Sequence, residues 1–213
     1  MSIQSEEFLR FIKLLHDNEC LDHVILVGSW SEFLYRDSGM IRGFDPNLKT
    51  LDIDFLLKNL KKPLNPVNLI ELAKADGYLV ESDYITGATK IYDKRGLEIE
   101  FLLNKVGAGA ETVLKTNLGV TAQTLRHMNI ILRNTVQVEY FDMKVTVPIP
   151  EAYLLHKMII NDQRGIKQEK DRQAIVNLWE YIDKEKLSEL YIKLTKKEKE
   201  SVNVFMAHND LTI

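Results

Sequence analysis

The heptapeptide Leu51-Asp52-Ile53-Asp54-Phe55-Leu56-Leu57 reads as a short β-strand, bounded by Lys49-Thr50 before it and Lys58-Asn59 after it. Side chains alternate along a strand, so Leu51, Ile53, Phe55 and Leu57 share one face and Asp52 and Asp54 the other. Two carboxylates fixed side by side on rigid backbone repel each other, and a divalent cation between them is the simplest compensation. The competing reading is an edge strand that carries acids for solubility.

A second stretch repeats the pattern. Leu97-Glu98-Ile99-Glu100-Phe101-Leu102-Leu103 matches the first segment acid for acid and apolar for apolar. If the two strands are neighbours, three or four carboxylates converge on one face. Like charges across a sheet are destabilising unless one carboxyl keeps its proton or a cation compensates.

Upstream, residues 5–18 have the spacing of an amphipathic helix, with Phe8, Phe11, Ile12 and Leu15 on its apolar side. His23 to Val27 reads as a strand closed by Gly28-Ser29. The run Ser29-Trp30-Ser31-Glu32 then fits a capping box, with Ser29 as N-cap and Glu32 three positions on. A strand turning through glycine into a helix offers free backbone N–H groups, a plausible phosphate cradle. An ordinary strand-to-helix turn has the same sequence.

Residues 37–50 read as a loop, with turn chemistry at Gly39, Gly43, Pro46 and Asn47. A helix is expected to start at Pro66 and end just before Gly77, with strands over Tyr78–Tyr84 and Ala88–Tyr92 and a turn at residues 93–96. A Gly/Ala-rich loop covers 104–117, with room for a short helix, and a longer helix is expected over Val120–Leu132. Thr135–Phe141 and Lys144–Val147 form a hairpin. Pro148 and Pro150 mark a boundary, and helices are expected over 151–162, 168–182, 184–194 and 196–208. The division expected is residues 1–147 as a core and 148–213 as a helical C-terminal region.

Composition narrows the classes. With 213 residues and 45% hydrophobic content, the chain can bury a sizeable core. A net charge of -3 gives no global attraction to nucleic acid or acidic membranes. Cys20 is the single cysteine, which fits a reducing compartment and excludes an intrachain disulfide. No apolar run reaches the length of a membrane span and the N-terminus lacks a signal-peptide pattern, so a cytoplasmic protein is expected.

The ordered set Gly28-Ser29, Asp52-x-Asp54 and Glu98 or Glu100 resembles the signature of the nucleotidyltransferase superfamily, the fold of DNA polymerase beta. Pro148-x-Pro150-Glu151-x-Tyr153-Leu154-Leu155-x-Lys157, with Lys170-Asp171 after it, resembles the helical part of bacterial nucleotidyltransferase-type toxins of abortive-infection and toxin–antitoxin systems. The resemblance implies an α/β (α+β) fold: a twisted mixed sheet with helices on one side, then a helical C-terminal region, with the site in the cleft between. It implies transfer of a nucleoside monophosphate from an NTP such as ATP to a hydroxyl acceptor: an RNA or tRNA end, a protein or a small molecule. Asp52, Asp54 and Glu100 would be catalytic and hold magnesium, or manganese in its place. The family's apolar-acid-apolar pattern favours Glu100 over Glu98 as third acid. Gly28, Ser29, Lys157 and Asp171 would serve nucleotide binding, and an antitoxin is an implied partner. Two features depart from the pattern: the long gap between Ser29 and Asp52, and glutamate where aspartate is commoner. A nucleotide- or partner-binding module of the same fold without turnover is the alternative, and a D-x-D glycosyltransferase the more distant one.

Overall fold

The computed structural model describes residues 3–46 and 50–213; Asn47 and Lys49, read above as part of a loop and a strand boundary, lie outside the described residues. In chain order the elements are α1 (Ile3–Asp17), β1 (Val24–Val27), α2 (Ser29–Asp37), β2 (Asp52–Leu57), α3 (Leu69–Ala75), β3 (Leu79–Ser82), β4 (Thr89–Tyr92) and β5 (Glu98–Asn104). They continue with β6 (Val113–Lys115), β7 (Thr121–Leu125), α4 (Asn129–Arg133), β8 (Thr135–Tyr140), β9 (Met143–Pro148) and four helices. These are α5 (Pro150–Ile160), α6 (Gln168–Trp179), α7 (Lys184–Ile192) and α8 (Lys196–His208). The fold is the expected mixed α/β arrangement.

The sheet runs in the order β1-β2-β5-β4-β3, with β6 and β7 attached through β5. The two acid-bearing strands are direct neighbours. β2 and β5 pair in parallel, with Asp52 opposite Glu98 and Asp54 opposite Glu100. Along its other edge β5 meets antiparallel β4 in its first half and parallel β7 in its second. Parallel neighbours need a crossover, and here α3 and the β3–β4 hairpin lie between β2 and β5 in the chain.

Alternation puts Ile53, Phe55, Ile99 and Phe101 into the main core, where Phe55 and Phe101 stack at 5.9 Å and Phe11 of α1 packs on Phe55 at 5.8 Å. On the opposite face the acids give way to Leu56 and Leu102. These join Ile25, Val27, Met128 and Ile131 in a smaller apolar cluster beside α4. Each strand is therefore polar on that face only over its first half. Leu51, expected on the core side, is exposed just ahead of β2, although its carbonyl still accepts from the Glu98 N–H.

β8 and β9 form the expected hairpin, turned through Phe141 and Asp142 with φ of 49° and 63°, the positive-φ pair of a two-residue turn. Pro150 occupies the first turn of α5, where its missing N–H costs nothing. Pro150–Ile159 are all buried, Glu151, His156 and Lys157 included, so this is a central helix packed on every side rather than one with a solvated face. It packs against α4, α6, α7 and α8. One core cluster runs from Phe8 to Phe205 and takes in residues on both sides of position 147.

Three local expectations are corrected. The helix expected over Val120–Leu132 is instead β7 followed by the short α4, because residues 121–125 pair with β5 and β6 and His127 turns the chain at φ 62°. The helix expected from Pro66 starts at Leu69, capped by Asn68, since the Val67 N–H is taken by the Asn117 carbonyl. Residues 104–117 contain β6 and no helix.

Candidate active site

Between the sheet and the C-terminal helices lies a cleft of about 480 Å³. Its floor is Asp52, Asp54, Glu98 and Glu100, and its opposite wall carries Tyr153, His156 and Lys157 of α5 with Arg164 and Lys167 from the segment after it. All four acids are half-buried. The cleft thus has an acidic floor and a largely basic wall, and its volume falls in the usual range for small-molecule sites.

Gly28 closes one end. It has φ 72° and ψ -160°, a region essentially open to glycine alone. A Cβ there would stand 3.1 Å from Asp54 Oδ2, so the turn after β1 and the carboxylate on β2 are packed against each other. This geometry also corrects the capping box. Gly28 takes the N-cap place and Ser29 becomes the first helical residue, with no side-chain cap. Glu32 is buried and accepts a hydrogen bond from the Tyr153 hydroxyl, and Ser31 Oγ donates to the Leu26 carbonyl at 2.9 Å. Ser29 lines a smaller adjoining pocket of about 160 Å³ together with Glu32, Lys157, Lys170 and Gln173. Lys157 borders both cavities.

The acids are unevenly compensated. Lys90 of β4 stands opposite Glu100 in register. Its Nζ is 2.5 Å from Glu98 Oε1, 3.0 Å from Glu100 Oε1 and 3.4 Å from Asp83 Oδ2. Lys167 Nζ lies 3.0 Å from Asp52 Oδ2. Asp54 has neither partner. Burial, with the Glu100 and Asp52 charges beside it, pushes its carboxyl up to about 6, against weaker pulls from Lys167 and Arg164.

Lys157 and Asp171, which the resemblance assigned to the nucleotide, form a buried ion pair at 2.5 Å, and Arg164 Nε holds the second Asp171 oxygen at 2.8 Å. Burial alone would raise the Asp171 carboxyl, but the Lys157 and Arg164 charges hold it below the usual range. Next to Lys157, the buried His156 Nε2 has no hydrogen-bond partner among the described residues. Burial and the neighbouring Lys157, Arg164 and His127 push this imidazole down to about 3. His127 Nδ1 is itself 2.9 Å from Glu198 of α8.

Reading the sequence alone overlooked Lys90, Arg164 and Lys167. Lys90 had only a weak signal, its alternation with Ile91 on a strand expected just before the turn at residues 93–96. Arg164 links two 3-10 turns between α5 and α6 and Lys167 ends the second, where no periodicity points.

For divalent cations the donors are of the right kind, hard carboxylate oxygens. No group of three His, Cys, Asp or Glu among the described residues is gathered tightly enough to cage an ion. Magnesium is commonly held by one or two carboxylates plus substrate phosphates rather than by an all-protein cage. The uncompensated Asp54 beside Asp52 fits that mode.

The nucleotidyltransferase family profile matches residues 6–198. The chain belongs to the nucleotidyltransferase family. No curated protein matches the sequence. Among solved structures, this nucleotidyltransferase is similar to an antigenic nucleotidyltransferase-like protein from Paracoccidioides brasiliensis, at 13% identity over 92% of this chain and 85% of the other, with a TM-score of 0.49. It is also similar to the lincosamide antibiotic adenylyltransferase LnuA in its lincomycin-bound form, at 16% identity over 83% of this chain and 97% of that one, with a TM-score of 0.48. No helix among the described residues is long and apolar enough to cross a membrane.

Proposed function

We propose that the chain transfers a nucleoside monophosphate from an NTP to a hydroxyl acceptor, with a divalent cation held between Asp52, Asp54 and the triphosphate. The observation that carries this reading is the parallel register of β2 and β5, which lines up Asp52 with Glu98 and Asp54 with Glu100 on the cleft floor. Bound there with nucleotide, magnesium supplies charge neutralisation and a template for in-line displacement.

The protein's own groups do the positioning. The Gly28 turn brings backbone close to the carboxylates, and α2 starts at Ser29, which lines the smaller pocket together with Lys170. A triphosphate tail in that pocket meets Lys157 at the junction of the two cavities. Glu100 stands beside Asp54 as the group that accepts the proton of the attacking hydroxyl, and Glu98 is the more substrate-facing neighbour. Catalysis of this kind is mostly orientation and electrostatics, which suits a rigid strand pair better than a loop.

A nucleotide-binding module without turnover draws support from the ion pairs at Lys90 and Lys167, which already compensate three of the four acids. One experiment separates the readings. The protein is incubated with each labelled NTP, magnesium and total cell extract, and the labelled fraction is identified, with Asp54→Asn as control. Label that appears with wild type and is lost in the control supports transfer. Magnesium-dependent NTP binding with no labelled product in any fraction supports the module.

A further inference from the structure

We infer that Lys90 is a built-in cation taking the place of a second metal ion, so that the site binds a single divalent ion per chain, on Asp52 and Asp54. This rests on the metal-dependent reading above and specifies its stoichiometry.

The four floor acids present two different situations. Glu98 and Glu100 share the Lys90 ammonium, which reaches both at hydrogen-bond distance. That ammonium is anchored. It projects from a strand directly opposite Glu100, its side chain is 23% exposed, and Asp83 at the β3–β4 turn approaches it from a third direction. Asp83 is in turn fixed by accepting from the Ile85 and Thr86 N–H groups and the Thr86 hydroxyl. Lys167 differs in kind. It leaves a 3-10 turn next to Gly165, its side chain is 52% exposed, and its one acidic contact, Asp52, is 39% exposed. An arriving ion with phosphate can displace such a contact, because an exposed ion pair is worth only about 0–1 kcal/mol.

Charge bookkeeping agrees. The four floor carboxylates meet two ammonium groups, one of them shared with Asp83, while Lys157 and Arg164 of the facing wall are taken up by Asp171, so the floor is left short of positive charge. The deficit falls at Asp54, the acid without an ammonium of its own. A second divalent ion at Glu100 would have to sit against Lys90, two cations sharing one carboxylate, and like charges this close repel strongly in a half-buried site.

The test counts ions rather than turnover. Manganese binding is titrated by electron paramagnetic resonance in the presence of a non-hydrolysable NTP analogue, for wild type, Lys90→Arg, Lys90→Met and Glu100→Gln. One ion per chain is expected in wild type and Lys90→Arg, two in Lys90→Met, and one of unchanged affinity in Glu100→Gln. Two ions in wild type overturn the inference alone, as does loss of an ion in Glu100→Gln, which does not depend on Lys90→Met folding. A folded Lys90→Met that still binds one ion also overturns it. No ion in any variant overturns the metal-dependent function as well.

Discussion

Gly28 lies against Asp54 so closely that a single added methyl would stand 3.1 Å from the carboxylate oxygen Oδ2. The backbone there is in a region nearly closed to other residues. Gly28→Ala is therefore expected to cost about 1–3 kcal/mol of stability from backbone strain and to displace Asp54 from the cleft floor. Urea denaturation reads the first effect and manganese–nucleotide affinity the second. A variant with wild-type affinity would show that the contact plays no part in holding the ion.

Asp54 titrates in the wrong direction for stability. Its carboxyl is raised to about 6 in the folded, metal-free protein, while the unfolded chain loses that proton near the ordinary value of about 3.9. Between these values the folded state binds more protons, so this group lowers stability as pH rises from about 4 to about 6 and leaves a constant penalty above. Asp54→Asn is expected to stabilise the metal-free protein at neutral pH by on the order of 1–2 kcal/mol, discounted for partial exposure, and to raise its melting temperature accordingly. The gain should vanish near pH 4 and the variant should lose magnesium-dependent NTP binding. Melting curves across pH check the first, titration calorimetry the second. Equal melting temperatures at neutral pH would contradict the repulsion.

His156 gives the opposite slope. Burial and the charges of Lys157, Arg164 and His127, opposed by Asp171, hold its imidazole down to about 3. The unfolded state takes up a proton near 6.5 and the folded state does not, so stability falls as pH drops from about 6.5 towards 3, on the order of 2–4 kcal/mol in all. His156→Gln should flatten that acid limb and leave stability above pH 7 less affected. Unfolding midpoints in urea at several pH values test it, and an unchanged acid slope would rule out His156 as the source.

Ser29 makes no capping hydrogen bond. Ser29→Ala is accordingly expected to change stability by no more than about 0.5 kcal/mol, well below the usual cost of a lost N-cap. If the pocket it lines holds triphosphate, Ser29→Asp lowers NTP affinity by setting negative charge against phosphate, and Ser29→Ala lowers it less. Normal NTP binding by Ser29→Asp would place the phosphates elsewhere.

Glu98 and Glu100 share Lys90 but stand about 7 Å apart along the strand, two residues at roughly 3.3 Å each. Glu100 is level with Asp54 and Glu98 with Asp52. Glu100→Gln is expected to cut turnover by about 100-fold to 10,000-fold, the range for a lost general base, with little change in NTP affinity. Glu98→Gln should be milder. Steady-state kinetics alongside NTP binding distinguishes them, and a reversed order would make Glu98 the base.

Much of this was legible in the sequence because period-2 alternation is strong where one face is core and the other carries charge. Asp52-x-Asp54 and Glu98-x-Glu100 stood out for that reason, and their pairing then followed the pattern. β7 was misread because Leu125, Met128, Ile131 and Leu132 fall at helical spacing, while the segment's state is decided by its pairing with β5. Local periodicity does not record a non-local partner. The cap at Ser29 failed by one position, since a glycine in its Gly-only conformation starts the helix one residue earlier than hydroxyl chemistry suggests. Lys90 was hidden because its role depends on which strand lies beside β4.

The placement of Lys90 also bears on how the site is assembled. β4 and β5 are joined by the short turn at residues 93–97, whereas β2 must meet β5 across the whole crossover. Hairpins close in about 1–10 μs, well ahead of long-range parallel pairing. Lys90 therefore meets Glu98 and Glu100 while β2 is still free, and the strand bearing Asp52 and Asp54 docks against an edge whose repulsion is already partly quenched. Without that lysine, β2 would meet the full field of both glutamates as it paired, and the barrier to closing the β2–β5 pair would rise before any nucleotide was present.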